Sequence, residues 1–140
     1  MGVYRLFSNI YNTGSSNNYI TPVQLYKNNT TGYQYINIKY ISLASWPLSQ
    51  VEIKESPSEV TLYMTNSTTS INTNIYANGT SLNADNYIYR KIFDNDGDNF
   101  DNLNGYTITV PPGYYIYIGI RDMVYNNIAY KIHIMYSVSY

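Results

Sequence analysis

An all-β fold, with two sheets packed as a sandwich, is predicted by three features of this sequence. Period-two alternation of apolar and polar residues recurs along the chain, turn-forming clusters separate the alternating runs, and no segment carries helical periodicity. The stretch from Gly105 to Asp122 shows the pattern best. Tyr106, Ile108 and Val110 alternate with Thr107 and Thr109; Pro111-Pro112-Gly113 ends the run; then Tyr114, Ile116, Ile118 and Ile120 alternate with Tyr115, Tyr117, Gly119 and Arg121. Neither proline can donate to a ladder, and Pro-Gly suits the centre of a type II turn, so the stretch reads as a β-hairpin.

In chain order, Val3 to Phe7 is expected as a short first strand and Asn9 to Asn18 as a polar loop. Tyr19 to Tyr26 alternates, and Pro22 places that strand at a sheet edge or on a bulge. Lys27 to Gly32 is a turn. Tyr33 to Leu43, the longest alternating run, reads as a central strand with Ile36, Ile38 and Tyr40 facing one way. From Ala44 to Pro57 the pattern weakens, with Pro47 and Pro57 as punctuation and a short strand at Val51 to Lys54. Glu59 to Thr65 and Ile71 to Tyr76 read as a second hairpin, closed by Asn78-Gly79, and Asn86 to Phe93 as a further strand. Asp94 to Asn104 is expected as an acidic loop. After a turn at Asn126 and Asn127, Tyr130 to Tyr140 forms the last strand, with Ile132, Ile134, Tyr136, Val138 and Tyr140 on its apolar face.

About eight to ten strands spaced about 8 to 15 residues apart are the signature of a sandwich or barrel. The 140 residues suit a single domain spanning 1–140. A jelly roll is the first expectation and an immunoglobulin-like sandwich the alternative. No repeat of fixed period occurs, which argues against a propeller or solenoid.

Composition narrows the function classes. There is no cysteine, so disulfides and thiolate metal sites are excluded and packing must carry the stability. Charged residues make up 12% of the chain, about half the usual share, while aromatics reach 16%, with 19 tyrosines. A net charge of −1 without a basic cluster argues against nucleic acid as a partner. The N-terminal Met-Gly-Val-Tyr-Arg-Leu-Phe lacks the apolar run of a signal peptide, and no stretch approaches the roughly 20 apolar residues that span a bilayer. The chain is therefore expected to be soluble as made and to have no membrane span.

Several residues are candidates for chemistry. Asp94, Asp96 and Asp98 match the first three ligand positions of an aspartate-rich calcium loop, but Gly97 is misplaced and Gly105 stands where the bidentate glutamate belongs. A solvated turn is the competing reading, with a structural calcium as the one cofactor considered. His133, the single histidine, lies on the Lys131, Met135 and Ser137 face, and nothing local supplies a triad partner. Glu52, Glu55, Glu59, Asp85 and Asp122 are scattered carboxylates rather than a catalytic pair. No catalytic residue is therefore assigned, and a non-enzymatic role is expected. Trp46 with the outward-reading Tyr63, Tyr76, Tyr115 and Tyr117 suits either a stacking platform for a surface glycan or an extended protein interface. The spread of tyrosine over nearly every strand favours the interface. Asn28, Asn29, Asn66 and Asn78 begin Asn-X-Ser/Thr triplets in turns.

Abundant Tyr, Asn, Ile, Ser and Thr, scarce lysine, no cysteine and a compact β pattern together resemble virion structural proteins of AT-rich viruses, most of all the small coat and vertex proteins of archaeal viruses of hot acid springs. The hairpin Val110-Pro-Pro-Gly-Tyr-Tyr is similar to strand connections in capsid and tail β-domains. The heat-labile Asn78-Gly79 and Asn104-Gly105 pairs leave a mesophilic AT-rich bacterium or phage as another source. The resemblance implies a capsid, vertex or penton component, located in a virion or other extracellular assembly, whose partners are copies of itself and other virion proteins. The alternative is a carbohydrate- or receptor-binding module.

Overall fold

Alternation becomes eight strands in the computed structural model, whose described residues are 3–48, 57–66, 87–94 and 99–140. They are β1 (Tyr4–Asn12), β2 (Val23–Lys27), β3 (Gln34–Pro47), β4 (Ser58–Thr65), β5 (Tyr87–Phe93), β6 (Phe100–Val110), β7 (Tyr115–Asp122) and β8 (Ile128–Ser139). Among the described residues there is no helix. Two four-stranded antiparallel sheets result, ordered β1-β8-β3-β6 and β2-β7-β4-β5, and they face each other as a β-sandwich. The pairings are nested: β1 with β8, β2 with β7, β3 with β6 and β4 with β5. The β3·β8 and β4·β7 pairings complete the sheets.

The inner faces follow from the isoleucine periodicity. Ile116, Ile118 and Ile120 of β7 with Val60 and Leu62 of β4 meet Ile36, Ile38, Ile41 and Leu43 of β3 and Ile132, Ile134 and Val138 of β8 in one core. Each such side chain, fully removed from water, contributes about 1.5–3 kcal/mol, so a slip of one residue in any central strand would forfeit a whole face of contacts. The alternation of β3 changes phase once. Lys39 sits at a bulge between the Ile38 and Tyr40 pairings, so Ile41 turns inward and Tyr40 outward, instead of Tyr40 sharing a face with Ile36 and Ile38.

The largest departure from expectation is at Pro111-Pro112-Gly113. β6 and β7 form as read, yet they do not pair with each other. β6 pairs with β3 in one sheet, and β7 lies between β2 and β4 in the other. The turn itself has the expected chemistry: Gly113 has φ 79°, and Tyr114 N–H donates to Pro111 O at 3.2 Å. What converts a hairpin into a crossing between sheets is Asn28, at the end of β2. Its backbone N–H donates to Tyr114 O and its carbonyl accepts from Gly113 N–H, both at 2.9 Å, while Nδ2 donates to Val110 O at 2.9 Å.

Boundaries also moved. β1 runs on through Asn9 to Asn12, part of the expected loop, because its ladder with β8 continues to Asn12↔Ala129. Phe100 to Asn104 belong to β6 and not to the acidic loop, since Asn102 and Phe100 pair with Tyr40 and Ser42. β2 is an edge strand with a bulge at Leu25, as Pro22 implied, but it is shorter than read, with Tyr19 kept only as an isolated bridge to Arg121. The strand expected at Val51 to Lys54 and the return strand at Ile71 to Tyr76 lie outside the described residues; β4 itself is flanked by β5 and β7.

Candidate functional site

The two outer faces of the sandwich differ in kind. On the β2-β7-β4-β5 sheet, Tyr63 stacks on Tyr117 with centroids 5.7 Å apart, and Tyr117 meets Tyr115 at 5.7 Å. Lys27 Nζ stands 4.8 Å over the Tyr115 ring, and the Arg90 guanidinium 5.6 Å from the Tyr87 ring. One turn of register away, Arg90 Nε approaches Glu59 Oε2 at 2.8 Å and Arg121 Nε approaches Oε1 at 3.3 Å, so one carboxylate bridges β5 and β7 across β4. Alternation places all these side chains outward, as expected, but outward is not exposed. Tyr63 is 1% and Tyr117 5% exposed, and Glu59, Thr61 and Gly119 are buried beside them. The platform read from sequence is thus closed to solvent over its central strands, with Tyr115 half-buried at its rim.

The β1-β8-β3-β6 sheet is the opposite case. Tyr4, Leu6 and Ile10 of β1, Tyr35 and Trp46 of β3 and Phe100 of β6 all stand exposed on its outer face, whereas Ile92 is the exposed large apolar side chain on the strands of the other sheet among the described residues. Register aligns Leu6, Met135 and Tyr40 in one row across β1, β8 and β3, and the Tyr40 ring lies 5.1 Å from Phe100 at its end. His133 is half-buried one row below, between Ser8 and Ser42. Lys39, itself exposed, stands over the Tyr4 ring at 4.9 Å, and Lys131 is the other exposed lysine of the face.

The sides of the sandwich differ as well. Over β5 and β6 it is clasped: Asp101 accepts from Tyr89 OH at 2.7 Å and pairs with Lys91 at 3.2 Å, and Tyr106 OH donates to Ile88 O. The Tyr89 hydroxyl is held well above its ordinary value of 10.0, first by burial and then by its bond to the Asp101 carboxylate, which opposes a second negative charge. Burial likewise raises Tyr11, Tyr26 and Tyr117. These phenols stay neutral at physiological pH and act as donors, as Tyr26 does toward Gln34 Oε1 at 2.5 Å. Over β1 and β2 the side is open, with a shallow cleft of about 450 Å³ between Tyr11 and Asn12 and the segment Ile20 to Gln24.

Trp46 is 41% exposed and lies on the face opposite Tyr63, Tyr115 and Tyr117, so these four do not converge on one ligand. Tyr76, Asp96 and Asp98 lie outside the described residues; Asp94 follows the end of β5. Among the described residues no three of His, Cys, Asp and Glu gather as metal ligands, and no helix is long and apolar enough to cross a membrane. No protein-family model matches the chain, and no curated protein matches it in sequence.

Sequence reasoning missed two features. The row Leu6, Met135, Tyr40 and Phe100 comes from four strands, and no single stretch of the sequence signals it, since Tyr40 turns outward only through the Lys39 bulge. Asn28 was read as a turn residue and a sequon, yet it is 0% exposed, with its amide spent on Val110 O and Gly32 O. A glycan on Asn28 is incompatible with that packing.

Proposed function

We propose that this chain is a jelly-roll structural subunit of a virus particle, assembling through the neutral outer face of its β1-β8-β3-β6 sheet. The nested strand pairing supports the jelly roll: a ribbon with strand 1 against 8, 2 against 7, 3 against 6 and 4 against 5, wrapped until 8 meets 3 and 7 meets 4, gives these two sheets, and such eight-strand double Greek keys recur in capsid and lectin domains. The observation that carries the assembly role is the asymmetry of the faces, one closed and the other bearing an apolar row in which Leu6 and Phe100 are exposed and Met135 and Tyr40 half-buried. Exposed apolar patches rimmed by polar residues mark interaction sites. With Lys39 and Lys131 as its two exposed lysines among the described residues, burying this face carries less of the desolvation cost than a charge-rich surface would incur.

Light scattering after size exclusion tests the reading. A defined oligomer or larger particle, unchanged between low and high salt and weakened by Phe100→Lys, is the expected result. A monomer at every concentration up to millimolar, or dissociation by salt, would sink it.

Trp46 supports a second reading, a glycan- or receptor-binding module, because it is a half-exposed indole near the end of β3. That reading requires saturable glycan-array binding abolished by Trp46→Ala.

A further inference from the structure

We propose that β1 is the strand through which two copies of this chain join, edge to edge and antiparallel, about a two-fold axis centred on Ser8. The proposal rests on the assembly reading and makes the partner a second copy. An open sheet edge presents unpaired backbone groups, and folded proteins blunt such edges with bulges, prolines, charges or short strands. Three of the four edges here are blunted. β2 has 5 residues, follows Pro22 and bulges at Leu25. β5 bulges between Tyr87 and Tyr89 and carries Arg90 and Lys91. β6 leaves its ladder between Asn102 and Tyr106, where Gly105 has φ 91°. By contrast, β1 runs 9 residues against β8 without a register shift, contains neither proline nor glycine, and carries Arg5 as its single charge.

The ladder decides which groups face outward. Thr13 N–H donates to the directly opposite Ile128 O at 2.9 Å, so the odd residues of β1 bond to β8, and the N–H and C=O of Tyr4, Leu6, Ser8, Ile10 and Asn12 point off the sheet. Ile10 agrees, since its N–H is taken by Asn9 Oδ1 at 2.9 Å, a local cap that a partner strand would replace. Setting Ser8 opposite Ser8 of the second copy places Leu6 against Ile10, Tyr4 against Asn12 and Arg5 against Tyr11. The two-fold axis repeats each contact in reverse, as an isologous interface requires. Leu6 and Ile10, 54% and 53% exposed, then cover each other. The two Arg5 residues sit about 20 Å apart along the strands, beyond the screening length of about 8–10 Å, so the pairing meets no like-charge penalty.

Cysteine trapping tests the contact, because the chain contains no cysteine. Opposed residues of a hydrogen-bonded antiparallel pair have Cα atoms about 5.5 Å apart, within the range a disulfide spans. Mild oxidation of Ser8→Cys at micromolar concentration is expected to give a covalent dimer on the order of a hundredfold faster than Thr107→Cys on the β6 edge, since opposed thiols meet at millimolar effective concentration. Ser8→Pro, which removes an outward donor that β8 does not use, is expected to keep its circular dichroism melt and lose dimer mass. Equal oxidation rates with an assembled parent chain would overturn the β1 contact and leave assembly to another surface. Equal rates with a parent chain monomeric up to millimolar concentration would overturn the contact and the assembly reading together.

Discussion

Removing the Asn28 side chain should unfasten the crossing between β6 and β7, and the cost follows from its four bonds. Nδ2 donates to Val110 O at 2.9 Å and Gly32 O at 2.8 Å, while Oδ1 accepts from Thr30 N–H at 2.9 Å and Thr30 Oγ1 at 2.6 Å. In Asn28→Ala, Val110 O is the costly loss. It is buried and keeps only the Gln34 N–H of the β3 ladder, so the lost bond costs about 1.5 kcal/mol. The other three bonds lie nearer the surface, where water substitutes, and each loss costs about 0.5 kcal/mol. The sum is about 3 kcal/mol, and for a chain of this size that lowers Tm by about 10 °C. Urea unfolding followed by tyrosine fluorescence measures it, with exposed Asn29→Ala as the control expected within about 0.5 kcal/mol of the parent. Asn28→Asp should be at least as damaging, because it sets a carboxylate oxygen against the carbonyls that Nδ2 now serves. If Asn28→Ala stayed within about 1 kcal/mol of the parent, the clamp would not be what holds the crossing.

Further outcomes can be checked alongside. Glu59→Ala leaves Arg90 and Arg121 facing a carboxylate that is gone, and denaturant unfolding should show a loss of about 2–4 kcal/mol, against a smaller loss for Glu59→Gln. The raised hydroxyls of Tyr89, Tyr11, Tyr26 and Tyr117 are protonated in the fold at pH values where the unfolded chain has begun to ionise near 10.0, so stability is fully present below that pH and falls as pH rises through it. Tyr89→Phe should make the alkaline fall in Tm shallower, read by melts across the alkaline range. Ile118→Ala in the middle of β7, at 0% exposure, should cost about 2–5 kcal/mol in the same denaturant assay. Phe100→Lys, half-exposed at the end of the outer row, should leave the melt nearly unchanged while lowering the assembled mass in light scattering.

Most strands were legible because an inward isoleucine every second residue is a local signal that neither face nor partner can disguise: β7 and β8 came directly from Ile116, Ile118 and Ile120 and from Ile132, Ile134 and Val138. Alternation says that a side chain points to one face or the other, and it also marked Tyr63, Tyr115 and Tyr117 as outward. It carries no information about which sheet a strand joins. Trp46 and the tyrosines therefore sit on opposite sides of the sandwich, and the apolar row across Leu6, Met135, Tyr40 and Phe100 exists only once β1, β8, β3 and β6 are neighbours.

What composition and pattern determined alone is a charge-poor, cysteine-free, all-β chain punctuated by Pro, Gly and Asn, because those properties are sums over residues and over nearest neighbours. Tertiary structure decided the rest. The Pro111-Pro112-Gly113 turn has the same dihedral chemistry in a hairpin and in a crossing between sheets, and the choice was made by Asn28, 82 residues from the carbonyl it holds. One extra residue at Lys39 reversed the facing of the second half of β3, because a bulge is specified by both strands of a ladder and not by either sequence. Tyr63 and Tyr117 are outward by parity and buried by packing, since exposure depends on what the rest of the chain lays against a face, which no window of sequence contains.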